Sequence, residues 1–329
     1  MRIKFAVILL SAYAWTLATP SILEVSQLQR TLDCWSVGSW KKVPGVATVS
    51  DPWTWVPSHT CNPPLPMLDG ASWCRRHTGM RLLFVGDSLS GNHYEATVQV
   101  GQRAQVTVPL AGHTTDAIPL RCDSRPRLSP RKKGCESVRV CGGTVALGYI
   151  RNDHLLDVTQ RAWKPYPTNV LVHPWNDALA HWHPTHVILN RGAHYTGDKK
   201  FERGIADALT LVRKLAPSAR VILRSTPPGH PNCAMHNGPL SQPLHGASDL
   251  RIAKEFHWSE FSRQNALMKR IAVTNGTLFV DFATPTALRP DGHLRGKNND
   301  CLHYAKPGPI WTWVRMLSGA IALDSGALK

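Results

Sequence analysis

Short, continuously apolar segments alternate with segments of helical periodicity from about residue 80 onward, and this alternation restricts the fold most. The strand candidates are residues 81–85, 185–190, 220–224 and 277–281. A continuous apolar run is typical of a strand covered on both faces. Apolar residues recur at helical spacing between these strands, for example over residues 201–215. Strands that alternate with helices predict a mostly parallel sheet in a layered α/β domain.

The first residues have the pattern of a secretory targeting segment, which we assign to residues 1–18. Arg2 and Lys4 precede an apolar stretch that is too short for a comfortable transmembrane helix. Thr16-Leu17-Ala18 supplies a cleavage site of small residues. We expect a signal peptide. The alternative is an uncleaved signal anchor, which would attach the protein to a membrane. Either form predicts the secretory pathway, in the Golgi lumen or outside the cell.

The cysteines agree with an oxidising compartment, because all eight follow the targeting segment. An even count there predicts up to four disulfides, whose connectivity the sequence leaves open. No CxxC pair is present, so we expect neither a metal nor another cofactor. One N-glycosylation sequon, Asn275-Gly276-Thr277, predicts a glycoprotein. The cysteines are Cys34, Cys61, Cys74, Cys122, Cys135, Cys141, Cys233 and Cys301.

Residues 19–79 differ in composition from the rest of the chain. They are rich in Trp, Pro and Cys, and few of their segments are periodic. We predict a disulfide-stapled, loop-rich N-terminal subdomain followed by a main domain at residues 80–329. Its tryptophans are expected to pack onto the main domain, with stacking against sugar rings as the alternative.

The formal net charge is +16 and the isoelectric point is near 9.8. In a chain that enters the secretory pathway, this charge favours acidic glycans or membrane surfaces over nucleic acid as partners. Part of it is concentrated in residues 121–135, which we expect to form a solvated surface loop, with polyanion contact as the alternative. The basic residues of this loop are Arg121, Arg125, Arg127, Arg131, Lys132 and Lys133.

Ser88, Asp300 and His303 supply the three groups of a nucleophilic acyl-transfer site. Ser88 follows the first strand candidate, which puts its hydroxyl at the carboxyl edge of the sheet, where open α/β folds bind ligands. A serine needs an adjacent base, and the base needs a carboxylate to orient it. The spacing of Asp300 and His303 lets one turn present both side chains together. The alternative is that Asp87, Ser88 and Asp300 only cap helices.

Further polar residues are candidates for oxyanion binding or substrate positioning. Asn190 and Gly192 follow a buried strand, and an asparagine at a strand end is a suitable oxyanion donor. Asp291 and His293 are a second acid–histidine pair, but their alternate spacing suits mutual hydrogen bonding less well, so we expect them to shape the substrate side. Asn92, shortly after Ser88, completes this set.

These motifs together resemble the PC-esterase family, which includes the plant trichome-birefringence-like polysaccharide O-acetyltransferases of the SGNH/GDSL hydrolase superfamily. The resemblance covers residues 34–320. The matching segments are residues 53–57 with Cys61, then 84–92, 190–195, 224–230, 289–293 and 300–308. Departures are Gly91 where the plant proteins commonly have Arg, an apparent extra residue at Ala193, and Tyr304 in place of Trp. They concern plant-type substrate specificity rather than the catalytic set.

The resemblance implies an α/β/α sandwich in which Ser88 is the nucleophile, His303 the general base and Asp300 its orienting acid. It also implies that the protein acts on cell-wall or extracellular glycans in the lumen of the secretory pathway. We therefore expect a carbohydrate O-acyltransferase, in particular an O-acetyltransferase, that needs an acyl donor as co-substrate. A secreted acetylesterase with the same triad and a non-catalytic glycan-binding protein are the alternatives.

Overall fold

The computed structural model describes residues 22–43, 51–105, 120, 134–157, 162–164, 170–194, 196–244, 256–294 and 300–328. The predicted targeting segment and nearly all of the basic loop lie outside these ranges. Within the described ranges, no helix combines the length and apolar character needed to cross a bilayer.

The core of the molecule is a six-stranded sheet in the order β10-β9-β8-β3-β5-β4. Five of its strands are parallel, and the edge strand β4 runs antiparallel to β5. The four strands predicted from apolar runs are β3, β8, β9 and β10. In chain order the strands are β1 (Gly38–Lys42), β2 (Trp53–Pro57), β3 (Arg81–Gly86), β4 (Cys135–Val140), β5 (Val145–Arg151), β6 (Ala162–Lys164), β7 (Val170–Val172), β8 (His186–Leu189), β9 (Arg220–Arg224) and β10 (Leu278–Val280).

Helices cover both faces of this sheet. Alternate residues of β3 separate into two apolar clusters, so that Leu82 and Phe84 face one layer while Leu83 and Val85 face the other. The first layer contains α1, α2, α3 and α8, and the second contains α4, α5 and α6. The predicted three-layer α/β/α sandwich is therefore confirmed. The described helices are α1 (Ile22–Ser36), α2 (Gly70–His77), α3 (Ser88–Gln105), α4 (Asn176–His181), α5 (Asp198–Leu215), α6 (Phe261–Thr274), α7 (Ala283–Thr286) and α8 (Ile310–Asp324).

The tryptophan-rich N-terminal segment packs against the same core as the sheet. Trp35, Trp55 and Trp73 are fully buried in the first apolar cluster, which confirms packing as their role. The segment is also less loop-rich than predicted, because residues 22–36 form a helix. The guanidinium of Arg315 on α8 joins the two parts by donating to the carbonyls of Trp55, Leu65 and Pro66. The predicted boundary after residue 79 stays a prediction.

Seven of the eight cysteines lie in the described ranges, and all seven are in disulfides. The pairs with both ends described are Cys34–Cys61, Cys74–Cys141 and Cys233–Cys301. The first staples α1 to the segment after β2, as expected of the N-terminal region. The second joins α2 to the end of β4, and the third lies beside the candidate site. Cys122 lies outside the described residues.

Candidate active site

Ser88, His303 and Asp300 form a continuous hydrogen-bonded series. Ser88 begins α3 directly after β3 and lies at the carboxyl edge of the parallel strands. Its Oγ is 2.8 Å from Nε2 of His303, and Nδ1 of His303 is 2.8 Å from Oδ2 of Asp300. The side chains of His303 and Asp300 are 28% and 33% exposed, so the series opens to solvent. This is the geometry in which a histidine can take the proton of a serine while a carboxylate fixes its tautomer.

The turn that carries Ser88 is shaped by Gly86 and Asp87. A Cβ on Gly86 would collide with Oγ of Ser90 and would lie 2.6 Å from the carbonyl oxygen of Asn190, so glycine is required there. The buried carboxylate of Asp87 accepts from N–H of Leu89 at 2.9 Å, which confirms that Asp87 caps α3. Its other oxygen accepts from N–H of Ala193 at 3.2 Å. One carboxylate therefore ties the serine turn to the loop after β8.

Asp300 and His303 lie on one tight turn, which the Asp300 side chain closes. Oδ1 of Asp300 accepts from the backbone N–H groups of Leu302 and His303, while Oδ2 faces the imidazole. Burial alone would raise the pKa of Asp300. The hydrogen bonds and the nearby charge of His303 outweigh it and hold that pKa well below its usual value. Asp300 is therefore ionised at neutral pH.

A small apolar cluster lies beneath the triad and is shared by all the loops that carry it. It includes residues directly after Ser88 and Gly192, and both residues between Asp300 and His303. The disulfide Cys233–Cys301 belongs to the same cluster and links the Asp300 turn to the segment after β9. The segments that carry Ser88 and His303 are thus held by common packing. The cluster consists of Leu89, Ala193, Cys233, Trp258, Phe261, Cys301 and Leu302.

Asn190 and Gly192 lie beside the serine turn, as predicted. Both amide hydrogens of Asn190 are used within the protein, since Nδ2 donates to the carbonyl of Arg224 and to Oγ1 of Thr226. A Cβ on Gly192 would collide with that Thr226 hydroxyl. The backbone N–H groups of Gly192 and Ser88 have no hydrogen-bond partner in the described part of the chain. Oxyanion donation by either residue stays a prediction, and the free N–H favours Gly192 over the Asn190 side chain.

Asn92 and Asp291 are both engaged inside the protein. Asn92 exchanges two hydrogen bonds with the backbone of Tyr304, the residue after the catalytic histidine candidate. Asp291 pairs with both Nε and Nη2 of the buried Arg289, which also reaches Asp51 of the N-terminal segment. Their predicted contact with substrate stays a prediction, while the observed partners point to support of the loops around the site.

His293 is buried and lies behind His303 rather than in front of it. Its Nδ1 is 3.0 Å from the carbonyl oxygen of His303, and its Nε2 is 2.7 Å from Nδ1 of His230. Burial lowers the pKa of His293 to about 3 and that of His230 to about 4. The predicted role of His293 on the substrate side stays a prediction, and its 3% exposure does not favour it.

Sequence reasoning missed three supporting side chains. His230 was matched only as part of a motif, without a role. Arg224 is fully buried and donates to Oγ of Ser90 at 2.7 Å, directly beneath the serine turn. The hydroxyl of Tyr149 on β5 donates to the carbonyl of Asp87 at 2.9 Å. Arg224 and His230 are the two ends of the matched segment 224–230, and Arg224 also ends a strand candidate, but neither signal gave a role.

The molecule is an α/β/α sandwich with a serine at the carboxyl end of its central strand, which agrees with the resemblance to SGNH/GDSL hydrolases seen in the sequence. No protein-family profile matches the chain. Xyloglucan O-acetyltransferase 4 of Populus trichocarpa is 25% identical over 301 residues, which covers 80% of this chain and 70% of that protein. Protein trichome birefringence-like 36 of Arabidopsis thaliana is 25% identical over 312 residues, or 83% of this chain and 76% of that protein. These relatives confirm the resemblance to the trichome-birefringence-like proteins of the PC-esterase family.

Two solved structures match the chain with low TM-scores and low identity. The periplasmic domain of a lipopolysaccharide acetyltransferase of Salmonella ser. Paratyphi A has a TM-score of 0.40 and 11% identity, and the match covers 75% of this chain and 86% of that one. An acetyl-xylooligosaccharide esterase of Geobacillus has a TM-score of 0.36 and 15% identity, with coverage of 76% and 95%.

Proposed function

We propose that this protein is a carbohydrate O-acyltransferase, and specifically an O-acetyltransferase, that works through an acyl-serine intermediate on Ser88. The observation that carries the proposal is the unbroken series from Ser88 through His303 to Asp300, with both contacts at 2.8 Å. The names of the two curated relatives support the reaction class, since one is a xyloglucan O-acetyltransferase. The plant relatives also support a glycan as acceptor.

The first half-reaction forms the acyl-enzyme. Oγ of Ser88 attacks the carbonyl carbon of an acyl donor and gives its proton to Nε2 of His303. The carboxylate of Asp300 stabilises the imidazolium that results. Collapse of the tetrahedral intermediate breaks the bond to the leaving group, which takes the proton from His303. The donor is a co-substrate, and the proposed reaction requires neither a metal nor another cofactor.

The charge on the tetrahedral oxygen needs donors that are already in place. The N–H of Ser88 opens an 18-residue helix, whose N-terminal end carries positive potential. Gly192 precedes Ala193, whose N–H donates to the Asp87 side chain beside Ser88. We propose the N–H groups of Ser88 and Gly192 as the oxyanion donors. Such preorganised donors are worth about 10²–10³ in kcat each. Because Asp87 bonds to the neighbouring Leu89 and Ala193, it holds the two N–H groups in a fixed relation.

The second half-reaction transfers the acyl group to a sugar hydroxyl. His303 removes the proton of that hydroxyl, the oxygen attacks the acyl carbon, and Ser88 recovers its proton as the ester forms. The same acyl-enzyme reacts with water if the acceptor is absent, which makes an acetylesterase the second candidate function. The side chains of His303 and Asp300 are partly exposed to water, which favours the acetylesterase.

We also propose that the reaction takes place in the secretory pathway, in the Golgi lumen or outside the cell. The targeting pattern of residues 1–18 and the seven disulfide-bonded cysteines of the described ranges support this placement. An acidic glycan is the proposed acceptor, because the net charge is +16.

The experiment is to incubate the purified protein with a chromogenic acetyl ester, alone and with a panel of neutral and acidic oligosaccharides. Mass analysis of the intact protein and of the sugars then follows the acetyl group. An O-acetyltransferase gives an acetyl adduct on Ser88 and acetylated sugar at the expense of free acetate. Free acetate with every sugar identifies an esterase. If no adduct and no turnover appear with any donor, the proposal is wrong.

A further inference from the structure

We propose that His293, held by His230, is a positioning residue for the general base and fixes His303 through its backbone carbonyl. The inference rests on the proposed function, since it assigns a task within the same site. It concerns two buried side chains that contact neither Ser88 nor Asp300.

The backbone of His303 and Tyr304 is paired on two sides. On one side the Asn92 side chain binds the N–H and carbonyl of Tyr304. On the other side the segment at 292–294 forms an antiparallel bridge, in which N–H of Leu294 donates to the carbonyl of His303 and N–H of Ala305 donates to the carbonyl of Gly292. Nδ1 of His293 lies 3.0 Å from the same His303 carbonyl oxygen and can serve as a second donor to it. The orientation of the catalytic imidazole depends on this peptide, because the side chain has only two rotatable bonds beyond it.

The ring of His293 is itself held from behind. Nδ1 of His230 lies 2.7 Å from Nε2 of His293, and the ring of Tyr304 packs against His293 with centroids 4.2 Å apart. The hydroxyl of Tyr304 donates to the carbonyl of Pro228, beside His230. Both histidines are 3% exposed, so water does not compete for these contacts. A side chain that only filled space would not need both ring nitrogens within hydrogen-bonding distance of polar partners, as those of His293 are.

Two neutral imidazoles carry two ring protons for three contacts, so two tautomer assignments are open and the inference requires one of them. In that assignment Nδ1 of His293 donates to the His303 carbonyl, and Nδ1 of His230 donates to Nε2 of His293. The contact of 3.0 Å from Nε2 of His230 to the carbonyl of Ala287 is then without a proton. The opposite assignment protonates Nε2 of both rings and leaves the His303 carbonyl without a ring donor.

The charges around the pair do not disturb this assignment near neutral pH. Asp291 and His236 face His230, while Asp300 and His303 face His293. Burial makes the largest contribution; His236 and His303 act in the same direction, and of these four groups only Asp291 and Asp300 raise the pKa values. The resulting pKa values of about 4 for His230 and about 3 for His293 keep both rings neutral near pH 7. The donor that we propose for the His303 carbonyl is therefore not altered by titration in the neutral range.

The test is the rate at which a fluorophosphonate probe labels Ser88, since this reaction needs the activated serine but no acceptor. His293→Phe keeps a ring but removes the donor, and His293→Asn restores an N–H near the position of Nδ1. We expect labelling to slow by about 10- to 100-fold in His293→Phe, as for a small misplacement of a catalytic group. Recovery of most of the rate is expected in His293→Asn. Turnover of the chromogenic ester should show the same loss in kcat with KM unchanged.

His77→Asn is the matched control. His77 is a buried histidine whose Nδ1 contacts the carbonyl of Trp73 in its own helix, remote from the triad. This variant should label at the wild-type rate. Equal labelling of wild type and His293→Phe would overturn the inference, as would a His293→Asn variant as slow as His293→Phe. If wild-type Ser88 is not labelled at all, it is the proposed function that fails.

A second measurement applies to the wild-type protein even if His293→Phe does not fold. Long-range ¹⁵N–¹H NMR of the histidine rings reports which nitrogen carries the proton. We expect Nδ1-bound protons on both His293 and His230 at neutral pH. An Nε2-bound proton on His293 would exclude the hydrogen bond to His303 and overturn the inference.

Discussion

Asn92 and Tyr304 are joined by two hydrogen bonds although 212 residues separate them. Nδ2 of Asn92 donates to the Tyr304 carbonyl at 3.1 Å, and its Oδ1 accepts from the Tyr304 N–H at 2.9 Å. The Asn92 amide thus forms with the Tyr304 backbone the pair of hydrogen bonds that a neighbouring β-strand would form. Because Asn92 lies on the helix that Ser88 begins, this pair ties Ser88 to the loop that carries His303.

The first prediction concerns the triad. Ser88→Ala and His303→Ala should each lower turnover of an acetyl ester by about 10³-fold or more, because the three groups act as one unit. Asp300→Asn should be severe too, since the imidazole loses its orienting carboxylate. Initial rates and circular dichroism on the same samples measure this, with the exposed His181→Ala as control. Wild-type turnover in Ser88→Ala would exclude the acyl-serine mechanism.

The second prediction concerns Asn92. Asn92→Asp keeps an acceptor for the Tyr304 N–H but places an anionic oxygen against the Tyr304 carbonyl, so it should lower kcat at least as much as Asn92→Ala. We expect a loss of about 10-fold or more, with little change in KM. Thr97→Ala, in which a buried hydroxyl of the same helix loses a bond to the His93 carbonyl, is the matched control. Steady-state kinetics that find Asn92→Asp equal to wild type would contradict this role.

The third prediction concerns acid stability. Burial lowers the pKa of His77 and His230 to about 4, and of His186 and His293 to about 3. The unfolded chain has the ordinary value near 6.5, so below that pH it binds more protons than the folded protein. Stability should therefore fall as pH drops from about 6.5 towards 4, by up to about 1.4 kcal/mol per pH unit for each histidine.

Urea unfolding between pH 7.5 and 5.5 measures this dependence. His77→Asn should reduce the slope, because one of the four groups no longer titrates while the donor to the Trp73 carbonyl is kept. A free energy of unfolding that does not change over this range would show that the rings take up protons in the folded state.

The fourth prediction concerns Arg315. Its guanidinium donates to the carbonyls of Pro66, Trp55 and Leu65 at 2.6, 2.8 and 3.1 Å. Lysine cannot reproduce this planar fork, so Arg315→Lys should lose about 2–4 kcal/mol of stability with kcat unchanged. The control is Arg213→Lys, an exposed arginine that donates to the carbonyl of Asn275. Equal urea midpoints for the two variants would contradict a structural role for Arg315.

The fifth prediction concerns the basic loop at residues 121–135, most of which lies outside the described ranges. Exposed charges are screened over about 10 Å at 0.1 M salt. If the acceptor is an acidic glycan, its KM should rise steeply with salt, while turnover of a small neutral ester stays constant. Neutralising Arg131, Lys132 and Lys133 together should mimic the salt effect. A salt-independent KM for an acidic acceptor would assign the loop to solubility alone.

Four strands of the sheet and the contacts among Ser88, His303 and Asp300 were predictable from short sequence patterns, while the catalytic roles of these three residues stay a prediction. Continuous apolar runs identify β3, β8, β9 and β10, and the spacing of Asp300 and His303 is that of a single turn. The helix α1 was missed although Val25, Leu32 and Trp35 recur on its buried face, because the surrounding Trp and Cys content masked the period. Edge strand β4 carries alternating polar residues and gave no apolar run.

The supporting contacts could not be predicted, because they join residues that are distant in sequence. Nothing near Asn92 indicates that it pairs with Tyr304, and nothing near His230 indicates a contact with His293. The sequence also offered Asn190 as an oxyanion donor, whereas the packing of β9 against β8 uses its amide hydrogens for Arg224 and Thr226. Tertiary packing, not residue type, decides which polar groups remain free.

The buried carboxylate of Asp87 has a consequence for how this site could change its substrate. Its two oxygens bind the N–H groups of Leu89 and Ala193, the residues that follow Ser88 and Gly192, so the two halves of the oxyanion site that we propose are joined through one side chain. If they move only together, a longer or bulkier acyl group must be accommodated beyond that site. Under this proposal, the surrounding loops select among acyl chains and acceptors, while the oxyanion site binds every ester carbonyl in the same way.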